Sequence, residues 1–262
     1  MSFPGKNSVF FLALQWLVFS GNLQVQSCTF YVSNRCSFPI WPATAANQGH
    51  PVLANGGFHL PPGKTQRFVA PGDWTGRIWA RTGCNFDSTT NHKLGCETGD
   101  CGGKLECNGL IGTPPATLVE FTLQIDKHKP NFYDVSLVDG YNLPVQVSTT
   151  STNPSKKCLI PGCKQNLKDT CPEELKVRND RGEVVACKSA CLAFDWDAFC
   201  CRNEYGSPKT CKPSLYSRVF KEACPNYASY AFDTPTSLVS CGSDDYVITF
   251  CPRDWGSDYS SD

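Results

Sequence analysis

The chain has 262 residues, of which 40% are hydrophobic and 17 are cysteine, and its 24 Lys+Arg balance 24 Asp+Glu. The balanced charge argues against a nucleic-acid or polybasic membrane partner, and a single Met argues against a helical bundle. With 21 Gly and 19 Pro the chain is loop-rich but falls short of a disordered or fibrous composition.

Lys6 precedes an apolar run over residues 9–19 (VFFLALQWLVF), and a polar exit ends at Val25-Gln26-Ser27. This reads as a secretory signal cleaved near Ser27–Cys28. The run is too short for a transmembrane helix, which needs about 20 apolar residues. No second apolar run follows, so no transmembrane anchor is expected.

From Cys28 to Ile78 the pattern is β. Phe30 and Val32 alternate with Thr29, Tyr31 and Ser33. Short strands are expected at Arg67–Ala70 and Gly76–Ala80, between turns at Asn55-Gly56-Gly57, Pro61-Pro62-Gly63 and Pro71-Gly72-Asp73. Residues 84–107 break the alternation and hold Cys84, Cys96, Cys101 and Cys107. The β pattern returns over Leu118–Ile125 and Phe132–Val138, and Asp139-Gly140 reads as a turn. After Ser148 a Thr/Ser/Pro/Lys run marks a boundary. Two helices are expected in the Cys-dense part, one around Lys188–Phe194 and one from an N-cap at Ser214 to Glu222. Tyr246–Cys251 is a last strand, followed by an acidic, Ser-rich tail.

So many cysteines do not persist as disulfides in a reducing cytosol, which agrees with secretion. Zinc is the rival reading. Cys96-x4-Cys101 and Cys187-x3-Cys191 are loosely zinc-like, but none of His50, His59, His92 and His128 stands at a ligand spacing from them. Disulfides are therefore expected, with no metal and no cofactor. Spacing alone does not fix the pairing. Cys28, at the cleavage point, is the cysteine expected to remain unpaired, either lost to a later cleavage or left as a thiol that forms dimers.

Alternation places Val119, Phe121, Leu123 and Ile125 on one face, and Glu120, Thr122 and Gln124 on the other. In the next strand Tyr133, Val135 and Leu137 oppose Asp134 and Ser136. If the two strands pair, only even registers keep the apolar faces together. Two fit the loop, Asp134 opposite Thr122 or opposite Gln124. The Cβ atoms of Glu120 and Asp134 would then be roughly 8–14 Å apart, whose lower end overlaps the carboxyl spacing of glycoside hydrolases. Without further information both are ordinary solvent-face residues. Trp41, Trp74 and Trp79 read first as core, Asp233 as a turn cap, and Asp100 as a brace for the looped segment.

Ile78-Trp79-Ala80-Arg81-Thr82-Gly83-Cys84 and the run Cys96-Glu97-Thr98-Gly99-Asp100-Cys101-Gly102-Gly103-Lys104-Leu105-Glu106-Cys107 carry a specific resemblance. Cys200-Cys201, Cys224-Pro225 and Phe250-Cys251-Pro252 add to it. The chain resembles the thaumatin-like proteins, the plant pathogenesis-related group that includes osmotin. His92 and Leu94 stand where that pattern has Gly and Gly or Phe. The resemblance implies a mainly β fold: a flattened β-sandwich (28–81, 116–164 and 225–251), a small looped lobe (82–115), and a disulfide-rich, partly helical lobe (165–224). Residues 1–27 would be the signal and 252–262 the tail. It implies the bridges Cys36–Cys251, Cys84–Cys96, Cys101–Cys107, Cys158–Cys241, Cys163–Cys224, Cys171–Cys187, Cys191–Cys200 and Cys201–Cys211.

The resemblance also implies an acidic cleft of one Arg, one Glu and three Asp. Carried over, the Glu is Glu120, the Asp positions are Asn131, Asp134 and Asp233, and the Arg position is Thr113. The function implied is a secreted defence protein, apoplastic or vacuolar and monomeric, that binds cell-wall β-1,3-glucan and is antifungal. One alternative is a weak endo-β-1,3-glucanase, with Glu120 and Asp134 as general acid and base or nucleophile. A second is an inhibitor or other protein-binding role.

Overall fold

A computed structural model describes residues 27–89, 94–150, 158–233 and 237–252. The signal segment, His92, most of the run after Ser148 and the acidic tail lie outside these residues.

Two β-sheets pack face to face. The first is built from β1 (Ser27–Asn34), β3 (Thr65–Pro71), β7 (Val145–Ser148) and β11 (Asp245–Phe250), in the order β3-β1-β11-β7. The second holds β2 (Trp41–Ala46), β4 (Thr75–Arg81), β5 (Leu118–Thr122), β6 (Asn131–Ser136) and β10 (Val239–Cys241), in the order β10-β6-β5-β4-β2. The alternation in β1 puts Phe30 and Val32 inward, both fully buried, beside Tyr246 and Ile248 of the parallel strand β11. Ile78, Val119, Phe121, Tyr133 and Val135 face them from the other sheet. The two layers meet in aromatic contacts, with Phe30 and Phe121 centroids 4.8 Å apart and Phe121 and Tyr246 5.1 Å apart. This is the mainly β sandwich expected.

β5 is shorter than the apolar pattern predicts. It ends at Thr122 because the Leu123 N–H leaves the ladder for the Trp74 carbonyl (2.9 Å). The Gln124 N–H then donates to the Asn131 side-chain oxygen (2.8 Å). Ile125, assigned to the core face by alternation, is therefore 64% exposed. β2 was not legible: its Ala-rich WPATAA is buried on both faces and shows no alternation.

The looped segment is braced by Cys84–Cys96 and Cys101–Cys107. The Asp100 carboxylate accepts the N–H groups of Cys96, Gly102 and Gly103 (3.0, 2.9 and 2.8 Å), the bracing role read from sequence. Arg81, fully buried at the end of β4, donates to the carbonyls of Trp41, Lys104 and Leu105. A Cβ on Gly57 would lie 2.5 Å from both the Arg81 guanidinium and the Leu105 carbonyl, so only glycine lets the chain approach this closely.

The remaining lobe contains the hairpin of β8 (Lys176–Arg178) and β9 (Val184–Cys187) and four short helices. These are α1 (Leu167–Thr170), α2 (Ala190–Phe194), α3 (Asp197–Cys200) and α4 (Leu215–Ala223). Ser189 caps α2 and Ser214 caps α4, each hydroxyl accepting a backbone N–H at 3.1 Å. Helices of four or five residues are unstable alone. Here Cys163–Cys224, Cys171–Cys187, Cys191–Cys200 and Cys201–Cys211 hold them. Cys36–Cys251 and Cys158–Cys241 complete the set of eight bridges among the described residues. Cys28 has no bridge. It is only 3% exposed in β1, and burial pushes its thiol up to about 12, so it is not placed to form dimers.

Candidate functional site

The outer face of the five-stranded sheet divides into two parts. At one end Trp79 and Leu118, paired across β4 and β5, are covered by the looped lobe in a small core with Ala43, Ala45, Ala116 and the Cys101 and Cys107 pair. Two residues further along the same strands, the same face carries charge. Arg77 lies opposite Glu120, and Glu120 lies opposite Asp134, forming one row across β4, β5 and β6.

This register corrects the sequence expectation. Asp134 stands directly opposite Glu120, not opposite Thr122 or Gln124. The face rule holds, but the connection from Leu123 to Pro130 is longer than assumed, because Leu123 and Gln124 bond outside the ladder. Directly paired residues have Cβ atoms about 4.5–5.5 Å apart, shorter than the 8–14 Å expected from sequence.

The electrostatics follow from this packing. An Arg77 guanidinium nitrogen lies 3.7 Å from the Glu120 carboxylate, and both side chains are partly exposed. Burial pushes Glu120 above its ordinary value, Arg77 opposes that rise, and the charge of Asp139 adds to it. No described cation pairs with Asp134 in the same way; burial, reinforced by Glu120, pushes it up to about 7. The pair is thus asymmetric, with Arg77 beside Glu120.

Of the residues proposed from sequence, the fold brings together Glu120 and Asp134. Asn131 faces the interior: its amide nitrogen donates to the Ser243 carbonyl and the Tyr246 hydroxyl, both at 2.9 Å. Asp233 ties a turn, its carboxylate accepting from the Ser229 N–H and hydroxyl (2.9 Å each) and meeting Lys221 at 2.9 Å. Thr113 belongs to the looped lobe, where its N–H donates to the Asp100 carbonyl. The cation beside Glu120 is Arg77. Arg77 and Asp139 were both missed. The alternation of Gly76–Ala80 puts Arg77 on the face of Trp79, but nothing local in the sequence makes β4 the neighbour of β5. Asp139 was absorbed into a turn motif, which its backbone does serve.

Trp74 and Trp79 are buried, with indole N–H groups bonded to the Pro51 and Gly99 carbonyls. Trp41 is half-buried against His59 and Phe86. Among the described residues, no cluster of three or more His, Cys, Asp or Glu is arranged to hold a metal ion, and no helix is long and apolar enough to cross a membrane.

Residues 34–252 match the model of the thaumatin family. The chain belongs to that family. It is 50% identical over 238 residues to pathogenesis-related protein 5 of Arabidopsis thaliana, covering 90% of this chain and 96% of that protein. It is 46% identical over 239 residues to the pathogenesis-related thaumatin-like protein 3.5 of Cryptomeria japonica, covering 91% and 96%. It is 49% identical over 222 residues to an osmotin-like protein of Solanum lycopersicum, covering 83% and 86%. Among solved structures, a thaumatin-like xylanase inhibitor is similar, with a TM-score of 0.45 and 23% identity over 85% of this chain and 99% of that one.

Proposed function

We propose that this thaumatin-family chain is a secreted defence protein that binds cell-wall β-1,3-glucan through the outer face of the five-stranded sheet. The observation that carries this reading is the row Arg77–Glu120–Asp134, beside Asp139, on a face that the looped lobe leaves open. A guanidinium and carboxylates in one plane offer donors and acceptors to the hydroxyls of a polysaccharide. Binding of this kind does not depend on the residues at 113 and 131. An even charge balance and a bridge-dense fold suit an extracellular protein.

One observation favours a second reading, a weak endo-β-1,3-glucanase. Glycoside hydrolysis needs one carboxyl protonated and one ionised. Burial raises both carboxyls, Asp134 to about 7, and Arg77 opposes the rise of Glu120, which supports a pair holding one proton. Glu120 and Asp134 would then serve as the general acid and the base or nucleophile.

The test is a pull-down on insoluble β-1,3-glucan with reducing-end release followed in the same tube. Wild type and Glu120→Ala/Asp134→Ala are compared. Binding without release, weakened in the variant, supports the binding module. Release abolished by the variant supports the hydrolase. Neither binding nor release rejects both and leaves the protein-binding role.

A further inference from the structure

A cluster of aromatic rings lies on the helical lobe. Phe194 ends α2, Trp196 precedes α3, Phe199 lies within α3 and Tyr216 within α4. Trp196 is 64% exposed and stacks nearly parallel on Phe199, with centroids 5.4 Å apart and planes 11° apart. Phe194 contacts Trp196, Phe199 and Tyr216 at 5.8, 5.7 and 5.2 Å. The plate is held rigidly. Asp195 turns the chain with a positive φ of 53°, and Cys191–Cys200 ties α2 to α3.

The surroundings of the plate are polar. Arg202 reaches the carboxylates of Asp195 (2.7 Å) and Asp197 (3.3 Å), and the Tyr216 hydroxyl donates to Glu174 (2.8 Å). A flat apolar plate edged by planar hydrogen-bonding groups matches a pyranose, which has an apolar C–H face and a polar hydroxyl edge. The cluster also adjoins the segment that leads to Asp139. Phe199 and Tyr216 line a pocket together with Val138 and Tyr230. Val138 adjoins Asp139, whose charge acts on Glu120.

We propose that the Trp196–Phe199 plate is a sugar-stacking platform that extends the acidic face onto the helical lobe, so that the ligand is a chain of several pyranose units. This rests on the polysaccharide-binding reading above.

The experiment uses the full chain expressed in a secretory host. It measures affinity for a linear β-1,3-glucan hexasaccharide and for the insoluble glucan. Trp196→Ala, Trp196→Tyr and Glu120→Ala/Asp134→Ala are compared with wild type, and thermal unfolding confirms that each variant folds. The platform predicts about tenfold weaker binding for Trp196→Ala, with most of the affinity kept by Trp196→Tyr. Wild-type affinity in Trp196→Ala overturns it. Loss in Trp196→Ala with none in the carboxylate variant keeps the platform and rejects the acidic-face reading. If wild type binds no β-1,3-glucan, the same variants are tested on chitin, cellulose, xylan and pectin. A Trp196-dependent loss on any of them supports the platform without the glucan reading. Binding to none of them overturns the platform.

Discussion

Arg77 stands across the strand pair from Glu120, with a guanidinium nitrogen 3.7 Å from the carboxylate, and both side chains remain partly exposed. A pair open to solvent contributes little to stability, about 0–1 kcal/mol. Its effect is on the site, where it favours the ionised form of Glu120 against burial and Asp139. Arg77→Gln is therefore expected to unfold within about 1 kcal/mol of wild type. In that variant the Glu120 carboxyl should titrate at higher pH, and glucan binding should weaken. Carboxyl titration by NMR beside a denaturation curve checks this; an unmoved Glu120 titration would refute it.

Asp134 gives the protein a pH dependence of definite sign. Its folded-state value of about 7 lies above the ordinary 3.8, so the folded protein holds this proton more tightly than the unfolded chain. The stabilisation is complete below 3.8 and is lost as pH rises through about 7. Asp134→Asn removes the titration. It should be more stable than wild type at pH 8, by on the order of 2 kcal/mol once solvent access to the half-buried carboxyl is discounted, and equal to it near pH 3. Thermal melts at the two pH values decide the matter.

Restoring an acid at position 131 should not restore a cleft. The Asn131 amide nitrogen donates to a carbonyl and a tyrosine hydroxyl in the interior, and its oxygen accepts from Gln124. Asn131→Asp places a carboxylate against the Ser243 carbonyl. The expected cost is about 1–3 kcal/mol at neutral pH, with glucan affinity unchanged. Urea denaturation and the pull-down measure the two effects separately.

The buried guanidinium of Arg81 tethers β4 to the looped lobe through the Lys104 and Leu105 carbonyls. Burial lowers it to about 10, which leaves it charged at neutral pH. Arg81→Met keeps much of the volume but leaves the Trp41, Lys104 and Leu105 carbonyls without their donor. A loss of about 3 kcal/mol or more is expected, with the looped lobe the first region to become open to proteolysis. Limited digestion with mapping of the first cut tests that order.

Cys28 should behave as an inert side chain. With its thiol pushed up to about 12 inside the sandwich, almost none is thiolate at neutral pH. Iodoacetamide should leave the native protein unmodified at Cys28 and label it after denaturation, and a non-reducing gel should show no covalent dimer. Labelling of the native protein would contradict the buried position.

Much of this protein was legible in local pattern. The cysteine content pointed to an oxidised, bridge-held chain, and the Cys96–Cys107 run pointed to the family. Alternation alone put Glu120 and Asp134 on the face opposite Val119 and Val135, because side chains in a strand must alternate. What alternation cannot supply is which strands are neighbours and in which register, since a shift of two residues satisfies the same face rule. Only the tertiary structure set Asp134 opposite Glu120, brought Arg77 from a strand some forty residues earlier in the chain beside them, and turned Asn131 inward. The exposure of Trp196 was likewise invisible. It lies between helices of five and four residues held by Cys191–Cys200, too short to show a period. The chemistry of the residues was written locally, but their assembly depended on contacts between segments far apart in the chain.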